Sequence, residues 1–170
     1  MASVDELYLH RALELAARAE AEGEVPVGAV VVLGNEIVGE GWNRPVGLHD
    51  PTAHAEILAL RQAGLHLSTY RLLEATVYVT LEPCPMCTAA MVHARVRRLV
   101  FGAWDPRQGA AGSALDLAHC RAMNHSLDVF GGVLSEECGA QLRNFFRRRR
   151  GQPAEGPRTP DGTAHSSTSK

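Results

Sequence analysis

The chain has 170 residues, 45% of them apolar and 21% charged, with a formal net charge of -2, which reads as one soluble globular domain. A domain of this length buries roughly 70% of the surface its unfolded chain exposes, so no disulfide staple is required. The longest stretch free of Asp, Glu, Lys and Arg runs from Pro83 to Ala94, well short of the roughly 18 apolar residues of a membrane span, which excludes membrane insertion.

Asp5, Glu6, Arg11 and Glu14 interrupt what would be the apolar core of a signal peptide, so a cytoplasmic location is the expectation. Four cysteines in that compartment are thiols or metal ligands rather than bridges. The small net charge conceals a segregation: residues 1–94 hold 5 basic and 12 acidic side chains, whereas 95–150 hold 10 basic and 5 acidic. A near-neutral total therefore does not exclude a nucleic-acid partner, because the basic footprint such a partner needs can be local.

In chain order, Leu9, Ala12, Leu13, Ala16 and Ala19 share one side of a helix predicted over Asp5 to Glu22, ended by Gly23. Val27 to Leu33 and Glu36 to Trp42 are β-prone runs joined by Gly34-Asn35, the signature of a hairpin. Thr52 is placed to cap a helix from about Ala53 to Gln62, with Gly64 as its stop. Thr76 to Leu81 reads as a strand, and a short helix begins around Cys84 to Pro85. Two further strands are expected over Arg97 to Gly102 and Asp128 to Leu134, before a final helix that starts at Ser135 and places Cys138, Leu142, Phe145 and Phe146 at helical spacing. This interleaving predicts an α/β protein: a three-layer α/β/α sandwich around a central mixed five-stranded sheet. The domain is expected to span residues 1–150, and 151–170, rich in Gly, Pro, Ser and Thr, to be a disordered tail.

The chemistry concentrates in His54-Ala55-Glu56 and Pro83-Cys84-Pro85-Met86-Cys87. Cysteines three apart project from one helical face and can share a metal ion, and a helix N-terminus favours their thiolates. His54 adds a neutral nitrogen, giving three ligands suited to Zn²⁺ with one position left open, the arrangement of a catalytic rather than a structural site. On an ideal helix Glu56 points about 200° away from His54, so it is poorly placed as a ligand and is read instead as the proton carrier. Alone, the Cys-x-x-Cys pair would equally suit a redox dithiol or half of a structural zinc site.

The H-x-E and P-C-x-x-C pair is the signature of zinc nucleoside deaminases. Further stretches resemble one branch of them: VPVGAV (25–30), GEGWNRP (39–45), HDPTAHAEILALR (49–61), YVTLEPCPMC (78–87), VFGAWDPRQGAAGS (100–113), MNH (123–125) and LRNFFRRRR (142–150). Over residues 5–150 the chain resembles the bacterial tRNA-specific adenosine deaminases, in the cytidine deaminase-like superfamily. The resemblance implies a homodimer with one Zn²⁺ per subunit, deaminating adenosine to inosine at the wobble position of a tRNA anticodon stem-loop. A zinc-activated hydroxide attacks C6, and Glu56 shuttles the proton. It also implies base recognition by Asn43, RNA contact by Asp105 and Arg107, and a C-terminal helix beside the RNA that brings Phe145, Phe146, Arg149 and Arg150.

Bland alternatives accompany these assignments. Asn43 could be a turn residue before Pro45, Arg147 to Arg150 a solvated helix end, and Phe145 and Phe146 core residues. Cys120 and Cys138 read as apolar thiols, and His125, like the other histidines outside the motif, as a surface or satisfied core residue, with a structural role near the site as its alternative. For the whole chain the alternatives are a zinc-dependent deaminase of a free nucleobase or nucleoside, such as guanine, and a zinc-stabilised RNA-binding module without activity.

Overall fold

The structure is a computed structural model, and it describes residues 1–151. The expected tail lies outside the described residues but for Gly151, which follows the last helix. Helix α1 (Val4–Ala21) begins at a capping box: the Ser3 hydroxyl accepts from the Glu6 amide at 3.2 Å, and the Glu6 carboxylate accepts from the Ser3 amide at 2.7 Å. Its buried stripe is Leu9, Ala12, Leu15, Ala16 and Ala19, with Leu15 taking the place expected of Leu13. The small side chains on that stripe let the helix lie directly on the next strand. At Gly28 a Cβ would come within 2.0 Å of the Ala12 carbonyl oxygen.

Strands β1 (Gly28–Leu33) and β2 (Glu36–Trp42) form the expected hairpin, Leu33 pairing with Glu36 across Gly34-Asn35. With β3 (Thr76–Leu81), β4 (Arg98–Ala103) and β5 (Asp128–Gly131) they make a mixed sheet of order β2-β1-β3-β4-β5. β1 is antiparallel to both neighbours, whereas β3, β4 and β5 run parallel. Alternation along the strands fills two cores. Val30, Val32, Tyr78 and Val100 pack under Leu9, Ala12 and Leu15 of α1. Ala29, Val31, Val77, Val79, Leu99 and Phe101 face the other way, toward Ala55, Ala59, Met91 and Val92 of helices α3 (Ala55–Leu67) and α4 (Pro85–His93). Burying each large side chain stabilises the fold by roughly 1.5–3 kcal/mol. The result is the three-layer sandwich read from the sequence.

Local differences from the sequence reading have physical causes. Thr52 does not cap α3; its hydroxyl and amide both donate to Asp50, while His54 occupies the cap position. Gly64 does not stop α3 either: an isolated glycine costs a helix only about 1 kcal/mol, and the helix continues until Leu67 has packed onto the core and Ser68 turns left-handed at φ 53°. β5 ends at Gly131 because Gly132 and Leu134 both adopt positive φ, turning the chain into α5 (Ser135–Arg150). A short helix, α2 (Pro45–Leu48), was not anticipated; Pro45 opens it at N1.

Because β2 and β3 run the same way, the connections leading into α3 and α4 both leave from one edge of the sheet. α5 reaches across this edge: Cys138 packs on Gly102 of β4, and Arg148 pairs with Glu20 at the end of α1. No helix among the described residues is long and apolar enough to cross a membrane.

Candidate metal centre and catalytic cavity

His54 is the N-cap of α3 and Cys84 the N-cap of α4, both with extended backbone (ψ 153° and 172°). For Cys84 this follows from the sequence, since a residue before proline is pushed out of the α region, and Pro85 then starts α4 at N1. Cys87 lies in the first turn of the same helix and is buried. His54 Nδ1 is 3.6 Å from both Cys84 Sγ and Cys87 Sγ, and the three ligand atoms fall within 4.8 Å of one another.

A tetrahedral zinc with bonds of about 2.3 Å to sulfur and about 2.05 Å to nitrogen requires sulfur–nitrogen edges of roughly 3.6 Å. The three side chains match that figure, so the donor set fits the ion in spacing as well as in chemistry. Without metal the trio shares protons. The Cys87 thiol, donating to Cys84, brings the Cys84 pKa down to about 4, while Cys87 itself is pushed up by that hydrogen bond and by burial. The Cys84 thiolate in turn raises His54. A divalent cation takes the place of these protons, which is why binding releases them.

Glu56 is 4% exposed, near the N-terminus of α3. Burial pushes its pKa up to about 7, and the Cys84 charge adds to the shift; a bound cation would act in the opposite sense. Since His54 is extended rather than helical, the angle expected between the two side chains on an ideal helix does not apply. Both His54 and Glu56 line one cavity of about 510 Å³.

One wall of this cavity holds Val25, Val27, Asn43 and Pro45, and the other holds Trp104, Asp105, Arg107, Gln108, Leu142 and Phe146. The Asn43 amide oxygen accepts from the Ala55 N–H at 2.9 Å, so the donor end of the amide is what Asn43 can offer a bound base. Asp105 spends its carboxylate locally, accepting from the Arg107 and Gln108 amides at 3.0 and 3.1 Å. Phe146 is 43% exposed and faces the cavity, whereas Phe145 is 8% exposed and lines a separate shallow groove with Glu20, Arg148 and Arg149. Arg150 joins Arg107, Arg143, Arg147 and Phe146 in a groove of about 620 Å³ that shares Arg107, Leu142 and Phe146 with the cavity.

Of the residues expected to contact substrate, Asn43, Asp105, Arg107 and Phe146 line the cavity and Arg150 the adjoining groove, whereas Phe145 and Arg149 lie in a different groove. His125 sits away from the metal ligands, its Nε2 2.6 Å from the Val96 carbonyl oxygen. Two buried carboxylates were missed. Glu24 accepts from the Gly47 amide at 2.7 Å, holding the segment after Asn43, and Glu82 lines the cavity beside the opposite wall. Their one signal in the sequence is an acidic residue next to an apolar strand run, in EVPVGAV and in VTLEPC.

Residues 2–103 match the family model described as the cytidine and deoxycytidylate deaminase zinc-binding region. Fold and centre together therefore define a zinc-binding deaminase. The tRNA-specific adenosine deaminase of Haemophilus influenzae is 54% identical over 147 residues, covering 86% of this chain and 85% of that protein. A solved structure from work on A-to-I editing by tRNA:A34 deaminases superposes with a TM-score of 0.78 at 42% identity, covering 79% of this chain and 98% of the other. A guanine deaminase from Nitrosomonas europaea superposes at 0.72 with 27% identity, covering 82% and 83%. The chain belongs to the tRNA-specific adenosine deaminase family.

Proposed function

We propose that this protein hydrolyses adenosine to inosine at the wobble position of a tRNA anticodon stem-loop. His54, Cys84 and Cys87 would hold Zn²⁺, which when bound would supply a Lewis acid that activates water. Glu56 takes one proton from the attacking water and delivers it to purine N1, then takes the second from the new C6 hydroxyl and gives it to the departing amine, so that adenosine and water give inosine and ammonia. A buried carboxyl in the same cavity as the metal ligands is placed for both halves of that shuttle. Asn43 orients the base from one wall. An anticodon-loop base is already unpaired, so turning it into the cavity breaks no base pair.

The observation that carries this reading is that the groove of Arg107, Arg143, Arg147 and Arg150 shares Arg107, Leu142 and Phe146 with the cavity. A free base would fill the cavity and leave four cations without phosphates, whereas a loop RNA engages both spaces. The similarity to a tRNA-specific enzyme supports the same substrate. The reading includes a homodimer, which the family resemblance implies, and the cytoplasmic location expected from the sequence.

Deamination of a free purine base is the second reading, favoured by the likeness to a guanine deaminase. Incubating zinc-loaded protein with a stem-loop carrying adenosine at the wobble position, and separately with guanine, adenine and free nucleosides, decides between them. Inosine in the RNA is expected. Xanthine or hypoxanthine from free substrates, with the RNA unchanged, would overturn the proposal.

A further inference from the structure

Lining the cavity beside its Trp104–Gln108 wall is a carboxylate to which the proposed proton transfer gives no part. Glu82 follows the end of β3 and is 2% exposed. Its Oε2 accepts from the Asp105 amide at 3.0 Å and from the Ser113 hydroxyl, and its Oε1 accepts from the amides of Ala111 at 3.2 Å and Ser113 at 3.0 Å. Every one of these partners is a neutral donor on a single loop, residues 105–113. Burying an ionised carboxylate is costly, and hydrogen bonds of this number and kind are what offset it. Secondary structure elsewhere in the fold needs no charge at this point; what the charge secures is the path of that loop.

Two further features show how closely the loop is drawn onto Glu82. At Gly109 a Cβ would come within 2.3 Å of the Glu82 carboxyl carbon. The next amide, Ala110, donates to the Pro83 carbonyl oxygen at 2.8 Å. From Asp105 the linkage continues outward, since its carboxylate holds the amides of Arg107 and Gln108, whose side chains line the cavity.

We propose that Glu82 is a positioning residue for the substrate: its carboxylate fixes loop 105–113 as the RNA-facing wall and thereby sets how tightly the anticodon loop is held, without taking part in proton transfer. The inference rests on the reading of the cavity as an adenosine site in RNA. Glutamine at this position keeps one acceptor and turns an NH₂ group toward amides that themselves donate, so E82Q releases part of the loop at nearly constant volume. Alanine at position 109 releases it from the other side by displacing the carboxyl.

The test uses the full zinc-loaded chain as wild type, E82Q, G109A, the E82Q/G109A pair and the milder S113A, with the wobble-adenosine stem-loop as substrate. Binding is read separately by fluorescence anisotropy in an E56Q background. E82Q and G109A are each expected to raise KM and the RNA Kd by about 10- to 100-fold. They should leave kcat within about threefold and zinc at one per chain. The pair should be no worse than either single variant, because both release the same loop. Unchanged KM and Kd would overturn the proposal, and so would a fall in kcat or loss of zinc at unchanged KM. If E82Q fails to fold, G109A and S113A decide by the same criteria. A wild type inactive on the stem-loop refutes the functional reading itself; an active wild type with unaffected variants refutes only the role of Glu82.

Discussion

Replacing Glu56 with glutamine keeps the shape of a buried side chain and removes its ability to carry a proton. General acid–base catalysis contributes about 10²- to 10⁴-fold, and the structure places this case toward the upper end. Substitute proton carriers near the cavity floor are already engaged. Asp105 accepts two backbone amides, and Glu82 accepts three amides and a hydroxyl. A loss of about a thousandfold or more in kcat follows, equivalent to about 4 kcal/mol of transition-state stabilisation. Glu56 is not among the three side chains whose ligand atoms cluster, so zinc should stay at one per chain. Single-turnover conversion of the stem-loop, read as inosine by nuclease digestion and chromatography, together with metal analysis of the same sample, measures both. Activity within tenfold of wild type, or loss of zinc, would refute this assignment of roles.

Stripping the metal with a chelator should abolish turnover and expose Cys84 as a thiolate, since its pKa falls to about 4. Iodoacetamide at pH 6 should then label Cys84 ahead of Cys120, and zinc should block the labelling; equal rates with and without zinc would contradict the ligand set. On the opposite side of the sheet, Asp5 accepts from both Arg98 terminal nitrogens at 2.7 Å and from the Tyr78 hydroxyl at 3.0 Å. Asp5→Asn should cost about 1–3 kcal/mol at pH 7, toward the low end because the pair is partly exposed. The Arg98 hydrogen bond holds the Asp5 pKa below its usual value, so this stability is present above the unfolded carboxyl pKa and is lost as pH falls through the lower folded one. The gap between wild type and variant in denaturant melts, present at pH 7, should therefore close in strong acid, and a constant gap would count against the pair. Reversing charge at Arg147 and Arg150 should raise KM for the stem-loop and flatten its salt dependence, by roughly 0.7 in log–log slope for each phosphate no longer neutralised. An unchanged slope would separate these arginines from the RNA.

Much of the fold was legible because its signals are local. Gly34-Asn35 specifies a hairpin from its own backbone preferences, and Thr76 to Leu81 is a run of β-branched and apolar residues. The ends of elements were less legible. Gly64 looks like a stop, yet α3 continues until Leu67 is packed against side chains distant in sequence. α5 shows the same limit for function: Phe145 and Phe146 are adjacent and chemically alike, and only the crossing of α5 over the sheet edge turns one toward Glu20 and the other into the cavity.

What the sequence determined by itself is the chemistry of the centre. Imidazole, two thiols three apart and a carboxylate beside the histidine carry their meaning in residue type and spacing, because metal coordination restricts the donors it accepts and prolines fix the local backbone that presents them. What tertiary structure decided is the shape of the space around that chemistry. Parallel β2 and β3 bring two helix N-termini, far apart in the chain, to within a zinc coordination sphere, and they raise Glu56 to about 7 by burying it. Glu24 and Glu82 became visible only there. A carboxylate that grips a distant loop leaves no period or motif in its own neighbourhood, and its partners are backbone amides that every residue but proline possesses.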